Sequence, residues 1–331
     1  MYAATRMGRS TGAIGWALLG LAPTLAAPAA AQTEAEAKVA SVKSIDGIGP
    51  VGEWRRLPGN YMLSEGPAGL PDGTVFFTDY RGGGIFRIDP TTGEIAKFID
   101  TINAGAIAVD ANGKLVVAET RRGQILRIDP ATRAITTVSA GYGGVRFNAP
   151  NDLVLDGHGG LYLTDPSNGA TLPLAQGKQS VYYVDAKGKT TRVVDYLPRP
   201  NGIALSRDGS MLFVGLTSES ELLGYHVRRP GVLDPDSVVF GRMEFTPPVK
   251  RGEGARTGVD GMTVDARGNV YAAGRFGIQV FDPAGHTLGT IATPEIPSNL
   301  KFAGKDGRTL YVTTYSSIFA VPMAAEGAPR R

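Results

Sequence analysis

Short apolar runs alternate with tight polar turns along most of the chain, and the pattern repeats. In each copy a β-rich run follows a turn that contains a glycine and, in four of the copies, reads Asp-Gly or Asn-Gly. The turn glycines are Gly73, Gly113, Gly159, Gly209, Gly268 and Gly307. Successive glycines are 40, 46, 50, 59 and 39 residues apart. Strand–turn–strand units at this period predict a repeat protein with six copies.

The repeats predict an all-β fold, a six-bladed β-propeller over residues 49–323. Each copy has room for about four strands, which is the content of one propeller blade. A sandwich or two stacked β-domains is the alternative, but a closed ring protects the sheet edges that a long open sheet would expose. We expect Tyr61–Leu63 and the residues before them to add an outer strand to the last blade. The longer intervals predict insertions at 167–178 and 228–257, which can rim a pocket.

The first 31 residues have the features of a cleaved secretory signal. Arg6 and Arg9 form a basic start, an uncharged stretch follows, and Ala29-Ala30-Ala31 precedes Gln32. A retained anchor is the alternative, but Pro23 and Pro28 interrupt a stretch that is already short for a membrane span. We therefore expect a periplasmic or secreted protein without stable membrane insertion. Residues 32–48 are predicted to be a flexible leader, and 324–331 a disordered tail.

Composition excludes several chemistries. The chain has 331 residues, 45 glycines, 22 prolines, no cysteine and three histidines. Disulfides, thiolate metal sites and cysteine nucleophiles are therefore excluded, and a histidine-rich metal site is not indicated. The formal charge is +3, with 34 basic and 31 acidic residues, and loss of Arg6 and Arg9 leaves +1. No nucleic-acid partner is expected from so small a charge.

One position of the repeat carries oxygen ligands in most copies. Eight residues before each turn glycine stand Glu65, Gly105, Asn151, Asn201, Asp260 and Asn299. Because inner strands line a propeller's channel, equal offsets should place these residues at one height around its axis. Carboxylates and amide oxygens favour Ca²⁺, with Mn²⁺, Mg²⁺ and Zn²⁺ as alternatives. The alternative interpretation is that Asn and Asp beside Gly or Pro only form turns and bind no metal. Asn299 fits a cap or a ligand equally, and Gly105 would leave room for a ligand.

Four short motifs resemble the metal-site motifs of the regucalcin/gluconolactonase/luciferin-regenerating-enzyme family. They are Ser64-Glu65-Gly66-Pro67, Ala149-Pro150-Asn151-Asp152, Pro200-Asn201-Gly202 and Val259-Asp260-Gly261-Met262. The resemblance covers about residues 60–321 and implies a six-bladed propeller that hydrolyses sugar lactones with a divalent cation in its channel. It also implies that Glu65, Asn151, Asn201 and Asp260 are the metal ligands. Regucalcin-type proteins bind substrate through an Arg two residues before the third-blade Asn, where this chain has Ala149. Arg146, three residues further upstream, is the candidate for that role.

Lactone opening requires an electrophile at the carbonyl oxygen and a base for water. The cation supplies the first, and Asp260 is our first candidate for the base, with Glu65 second. The alternative is that both are ligands only. Asn151 and Asn201, with Arg146, are expected to contact the substrate. Asp152 should point the opposite way from Asn151 along its strand.

Two other functions remain open from the sequence. One is an esterase or phosphotriesterase of the paraoxonase type acting at the same metal ring. The other is a non-catalytic propeller that binds a ligand, since a fold alone does not specify an activity. Our interpretation is a calcium-dependent, gluconolactonase-like hydrolase whose partner is a small sugar lactone, acting as a monomer.

Overall fold

The computed structural model describes residues 44–100, 102–167, 172–243 and 258–329. Within these residues every regular element is a β-strand, and none forms a helix long and apolar enough to cross a membrane. The strands, in chain order, are β1 (Arg55–Arg56), β2 (Ser64–Gly69), β3 (Val75–Asp79), β4 (Ile85–Ile88), β5 (Ile95–Ile99), β6 (Ala104–Val109), β7 (Leu115–Glu119), β8 (Gln124–Ile128), β9 (Ile135–Ser139), β10 (Leu153–Leu155), β11 (Leu161–Asp165), β12 (Ser180–Val184), β13 (Thr190–Val194), β14 (Pro200–Leu205), β15 (Met211–Leu216), β16 (Glu221–Arg229), β17 (Val232–Leu233), β18 (Val238–Arg242), β19 (Met262–Val264), β20 (Val270–Gly274), β21 (Gly277–Phe281), β22 (Thr287–Ile291), β23 (Pro297–Ala303), β24 (Thr309–Thr314) and β25 (Ile318–Pro322).

These strands form six antiparallel sheets. In five of them the first strand along the chain is the innermost, and in the sixth, where β1 is the outer strand, the innermost is β23. The six inner strands contact one another in a closed cycle, β2–β6–β10–β14–β19–β23 and back to β2. The fold is therefore the predicted six-bladed β-propeller. The last blade is closed by β1, which pairs with β25 so that Arg55 lies opposite Ala320. This closure joins a strand from the start of the described chain to three from its end. The added strand lies upstream of Tyr61, and Tyr61–Leu63, which were expected to take part in it, are not in a strand.

The six turn glycines that mark the repeat in the sequence occupy equivalent positions in the structure. All six turn glycines have positive φ, from 67° at Gly307 to 93° at Gly73. This region of backbone space suits glycine because a Cβ would be strained there. Each such turn joins the first and second strands of a blade, so the turns mark the same place in every blade.

Burial explains why the second strands carry the most apolar sequences. β3, β7 and β11 are buried along their whole length, whereas the outer strand β9 is mostly exposed. The core consists of six apolar clusters, one between each pair of neighbouring blades. In the cluster between blades 1 and 2, for example, Phe76 packs with Leu115. Because each blade contributes to two clusters, loss of one blade would expose two apolar faces.

The chain ends differ from the predictions. Ile48, assigned to a flexible leader, is 3% exposed, and its carbonyl accepts hydrogen bonds from the N–H groups of Ala324 and Ala325. Residues 324–329, assigned to a disordered tail, are likewise held, since Gly327 bridges to Asp265. Two segments at the boundary of the propeller thus stabilise each other, an effect that the local sequence does not reveal. The predicted signal at 1–31 lies outside the described residues.

The structure describes parts of the two predicted insertions, 228–257 and 167–178. Of residues 228–257, the described part supplies β17 and β18, which both pair with β16 and widen blade 4. Residues 244–257 lie outside the described part. In the other predicted insertion, 167–178, residues 168–171 are also not described.

Candidate functional site

The six positions selected by the register lie at the beginnings of the inner strands, on one end of the channel. Glu65, Gly105, Asn201 and Asn299 are within β2, β6, β14 and β23, and Asn151 and Asp260 stand two residues before β10 and β19. The pairing of β2, β6, β14 and β23 is shifted at this level, for instance between Glu65 and Ala68. Such bulges re-aim side chains that a regular strand would point elsewhere.

Neighbouring ring positions touch through their backbones. A Cβ placed on Gly105 would lie 2.2 Å from the carbonyl oxygen of Asn151, and one on Gly202 would lie 2.1 Å from that of Asp260. A Cβ on Gly261 would be 2.2 Å from Cγ of Asn299. Glycine is therefore required for this approach. It also follows that the missing side chain at Gly105 does not leave room for a ligand, because the next blade fills that space.

Hydroxyl groups connect the blades at the same height. Thr78, Thr120 and Thr164 each donate through Oγ1 to a backbone carbonyl of the next blade at 2.7 Å. Ser298 donates to the carbonyl of Ser64 at 2.8 Å and so links the last blade to the first. For Thr164 the acceptor is the carbonyl of Asn201 itself. These bonds fix the inner strands relative to one another and hold the ring as one unit.

Two carboxylates converge at this ring. Glu65 is 8% exposed, and its carboxylate accepts hydrogen bonds from the N–H of Gly66 and from the side chain of Asn299. Burial, followed by repulsion from Asp260 and Asp152, raises the pKa of Glu65 well above its usual value. Asp260 is close enough to contribute to this shift, yet it is partly exposed and borders a cavity. The result is a cluster of carboxyl groups in which the neutral form of Glu65 is favoured.

The three asparagines of the ring differ in whether their side chains bond to Glu65. Asn201 donates from Nδ2 to Thr217 Oγ1 at 3.0 Å, which directs its Oδ1 elsewhere as an acceptor. Asn151 is partly exposed at the start of blade 3. Asn299 instead accepts from the N–H of Leu300 at 2.8 Å and hydrogen-bonds Glu65. Of the two roles open for Asn299, the structure therefore favours positioning of the Glu65 carboxylate.

Strand alternation predicted that Asp152 points away from the channel, and this prediction was wrong. Asp152 lies before β10 begins, where alternation does not apply, and its carboxylate accepts from the N–H of Ile203 in the next blade at 3.2 Å. Burial raises the pKa of Asp152 to about 7, against the opposing effects of its backbone donors and the Lys301 ammonium. Sequence reasoning missed this third acid of the channel and also its cationic neighbour.

Arg146 is turned toward its own backbone. Its Nη1 donates to the carbonyl of Phe147 at 3.1 Å and to that of Asn148 at 3.2 Å. It is not among the described residues that line the cavity beside Asp260. The neighbouring acid Asp165 accepts from the N–H groups of Asn148 and Ala149, at 2.9 and 2.8 Å, and so holds the segment that leads to the ring. In blade 1, Asp79 caps Met62 and Leu63 in the same way.

A cavity of about 430 Å³ opens beside Asp260. Its walls come from blades 4, 5 and 6, and the side chains with polar or bulky groups are Thr217, Asp260, Arg275, Ile296 and Tyr315. The size falls within the range of about 300–1,000 Å³ that is usual for small-molecule sites. A ligand in this cavity would contact the partly exposed carboxylate of the ring.

The donor set fits a hard divalent cation. In the described part of the chain, no three side chains of the types His, Cys, Asp and Glu are placed to hold a metal ion together. A cation at the ring would therefore need amide oxygens beside the carboxylates of Glu65 and Asp260. Oxygen ligands of both kinds are those that Ca²⁺ and related ions prefer. Burial is the largest cause of the raised pKa of Glu65, and repulsion from Asp260 and Asp152 follows; a bound cation would relieve this repulsion.

Comparison with known proteins gives a consistent set of relatives. The family model described as SMP-30/Gluconolactonase/LRE-like region matches residues 63–316. A gluconolactonase of Zymomonas mobilis is 29% identical over 289 residues, 80% of each chain. Lactonase drp35 of Staphylococcus aureus is 30% identical over 259 residues, 73% of each chain.

Solved structures agree with the sequence relatives. A gluconolactonase from Xanthomonas campestris superposes with a TM-score of 0.72 at 29% identity, covering 82% of this chain and 89% of the other. Regucalcin from Agrobacterium tumefaciens, a calcium-binding protein, gives a TM-score of 0.67 at 21% identity over 83% of this chain and 96% of that one. At that identity the second likeness concerns the fold alone.

Proposed function

Because this chain belongs to the SMP-30/gluconolactonase/LRE-like family and is a lactone-hydrolysing hydrolase, we propose that it opens sugar lactones with a divalent cation held in the channel. One observation supports this most strongly. The buried carboxylate of Glu65 and the partly exposed one of Asp260 interact at the channel's end, beside a cavity of small-molecule size. A propeller that served only as a scaffold would gain nothing from two acids kept together at a cost in solvation.

The cation would be held by Glu65, Asn151, Asn201 and Asp260. We propose Ca²⁺ as the occupant, since all four groups offer oxygen and regucalcin, of the same fold, binds calcium. The bound ion would supply Lewis-acid polarisation of the lactone carbonyl. Asn299 would act indirectly, because its hydrogen bond orients the Glu65 carboxylate.

The protein's own acid–base chemistry is assigned to Asp260. A carboxylate oxygen of Asp260 takes a proton from water as that water adds to the carbonyl carbon. The ring C–O bond then breaks, and the same proton goes to the departing alkoxide, which yields the open hydroxy acid. Asp260 suits this role better than Glu65 because it is the more exposed of the two and borders the cavity. Glu65, deeper and bonded to Asn299, suits a ligand.

The test is acid release from glucono-1,5-lactone by the purified protein, before and after EDTA and again with Ca²⁺ restored. We expect turnover to disappear with EDTA and return with the ion, and to be absent in Glu65→Gln. The matched control is Asp72→Asn, a turn residue whose Oδ1 accepts from Thr74 and which Asn can imitate. Turnover that is indifferent to EDTA would contradict the metal dependence. Turnover of an aryl ester or phosphotriester alone would favour the other enzyme class.

We also propose that the protein is exported. The support is the sequence of residues 1–31, with its basic start and uncharged apolar stretch. Amino-terminal sequencing of the protein from a periplasmic or culture fraction should then begin at Gln32. A cytosolic protein that retains Met1 would refute this proposal.

A further inference from the structure

One wall of the cavity beside Asp260 carries a positive charge. Among the described residues that line this cavity, Arg275 is the single cation and Asp260 the single anion. In the proposed function Asp260 serves the cation and the attacking water. Arg275, an exposed side chain in the cavity wall, is then the charged group available to the substrate. Within the described part of the chain Arg275 forms no ion pair, and its guanidinium lies 6.0 Å from the centre of the Phe276 ring.

The position of Arg275 is equivalent to neutral residues in the other blades. Gly274 pairs with Gly277, so Arg275 and Phe276 form the tight turn between β20 and β21. The residue that directly follows the second strand is elsewhere Tyr80, Thr120, Pro166, Thr217 or Tyr315. Four of these five bear a hydroxyl, which can hydrogen-bond a sugar but does not select for charge. Arg275 is the one charged residue among these six positions, and it lines the same cavity as the proposed catalytic carboxylate of Asp260.

We propose that the substrate lactone carries a carboxylate group, as in a lactone of a sugar diacid, and that Arg275 binds this group while the ester lies at Asp260. This inference depends on the proposed lactonase function and specifies its substrate class. A guanidinium is suited to the task because it holds a carboxylate through two parallel N–H donors. Arg275 acts in binding and specificity, while the bonds that break and form are those of lactone hydrolysis.

The test compares two lactones that share a ring and differ at one carbon, D-glucono-1,4-lactone and D-glucaro-1,4-lactone. The first ends in a hydroxymethyl group and the second in a carboxylate. We expect the wild type to prefer the glucarolactone in kcat/KM. Arg275→Gln should lower kcat/KM for the glucarolactone by about 10- to 100-fold, mainly through KM, and leave the gluconolactone within about twofold. Arg275→Lys should retain part of the preference because the charge remains.

Arg81→Gln is the matched control, since Arg81 is exposed in the corresponding turn of blade 1 and does not line the cavity. It should leave both rates unchanged. Equal loss on both lactones in Arg275→Gln would overturn the inference, as would a wild type that prefers the neutral lactone. If Arg275 instead holds the carboxylate that hydrolysis creates, the variant would only relieve inhibition by gluconate, which also overturns it. Failure of the wild type on both lactones would refute the proposed function itself.

Discussion

The two ends of the channel are built from the same six strands and differ in chemistry. At one end the strands present Glu65, Asn151, Asn201, Asp260 and Asn299, with Gly105 at the sixth position. Three or four residues further along, at about 3.3 Å per residue, they line a cavity of about 130 Å³. Its walls there are mainly aliphatic, with residues such as Ala68, Val109, Leu155, Leu205 and Val264.

This difference separates what the fold needs from what the activity needs. Apolar residues at the far end pack between the inner strands and contribute to the closure of the ring. The oxygen-rich end works against burial, since desolvation is the largest cause of the raised pKa of Glu65 and of Asp152. Substitutions at the two ends should therefore have opposite signatures, one in activity and the other in stability.

The largest effect is expected at the oxygen-rich end. Asp260→Asn removes both the proposed base and one of the two carboxylates proposed to face the cation, so kcat/KM should fall by about 10³-fold or more. The free energy of unfolding in EDTA should not fall, and it should rise by about 1 kcal/mol because one of several crowded acids is neutralised. Lactone hydrolysis kinetics measure the fall in kcat/KM, and urea unfolding in the presence of EDTA measures the change in the free energy of unfolding. A variant that stays active, or that unfolds more readily without metal, would contradict the comparison.

The reverse signature is expected at the apolar end. Leu205 is 5% exposed and packs in the cluster between blades 3 and 4. Leu205→Ala should reduce the free energy of unfolding by about 2–5 kcal/mol through lost contacts and a new cavity. Its kcat/KM at 25 °C should remain within about twofold of the wild type, since the ring is not touched. A large loss of activity in folded protein would show that the two ends are coupled.

Gly105→Ala tests the packing that joins neighbouring ring positions. The added methyl group would meet the Asn151 carbonyl oxygen at 2.2 Å, so one of the two strands has to move. We expect a loss of about 1–3 kcal/mol in unfolding free energy, together with weaker cation binding. Gly113→Ala is a contrasting case, because a Cβ there meets nothing within 4 Å and only the φ of 73° opposes it. Unchanged cation affinity in Gly105→Ala would mean that Asn151 takes no part in the site.

The smallest effect concerns the support behind the ring. Burial raises the pKa of Asp165 from 3.8 to about 7. The unfolded chain loses this proton near pH 4 and the folded protein near pH 7, so the unfolding free energy should fall across that interval and level off above it. Asp165→Asn should remove this part of the pH dependence and cost about 1–3 kcal/mol at low pH, because its amide cannot accept both N–H bonds. Identical pH profiles for the two proteins would refute the assignment.

The repeat made most of the fold predictable. Six glycines at similar spacing marked turns that require positive φ, and counting back from them found the residues at the start of the inner strands, Glu65 and Asp260 among them. The same counting, made backward from the turns, did not reach Arg275, which lies seven residues after Gly268. It misjudged Asp152, since alternation holds only inside a strand and β10 begins at Leu153. Arg146 could not be placed from sequence because a local bridge between Tyr142 and Val145 directs that loop.

The central claim is that four side chains from four blades share one cation, and crystals loaded with Mn²⁺ test it most directly. The anomalous difference map should show one strong peak in the channel, with oxygen atoms of Glu65, Asn151, Asn201 and Asp260 within about 2.0–2.6 Å. Soaking with Ca²⁺ should displace it. A map without a peak among these side chains, in crystals of protein that hydrolyses lactones, would contradict the account.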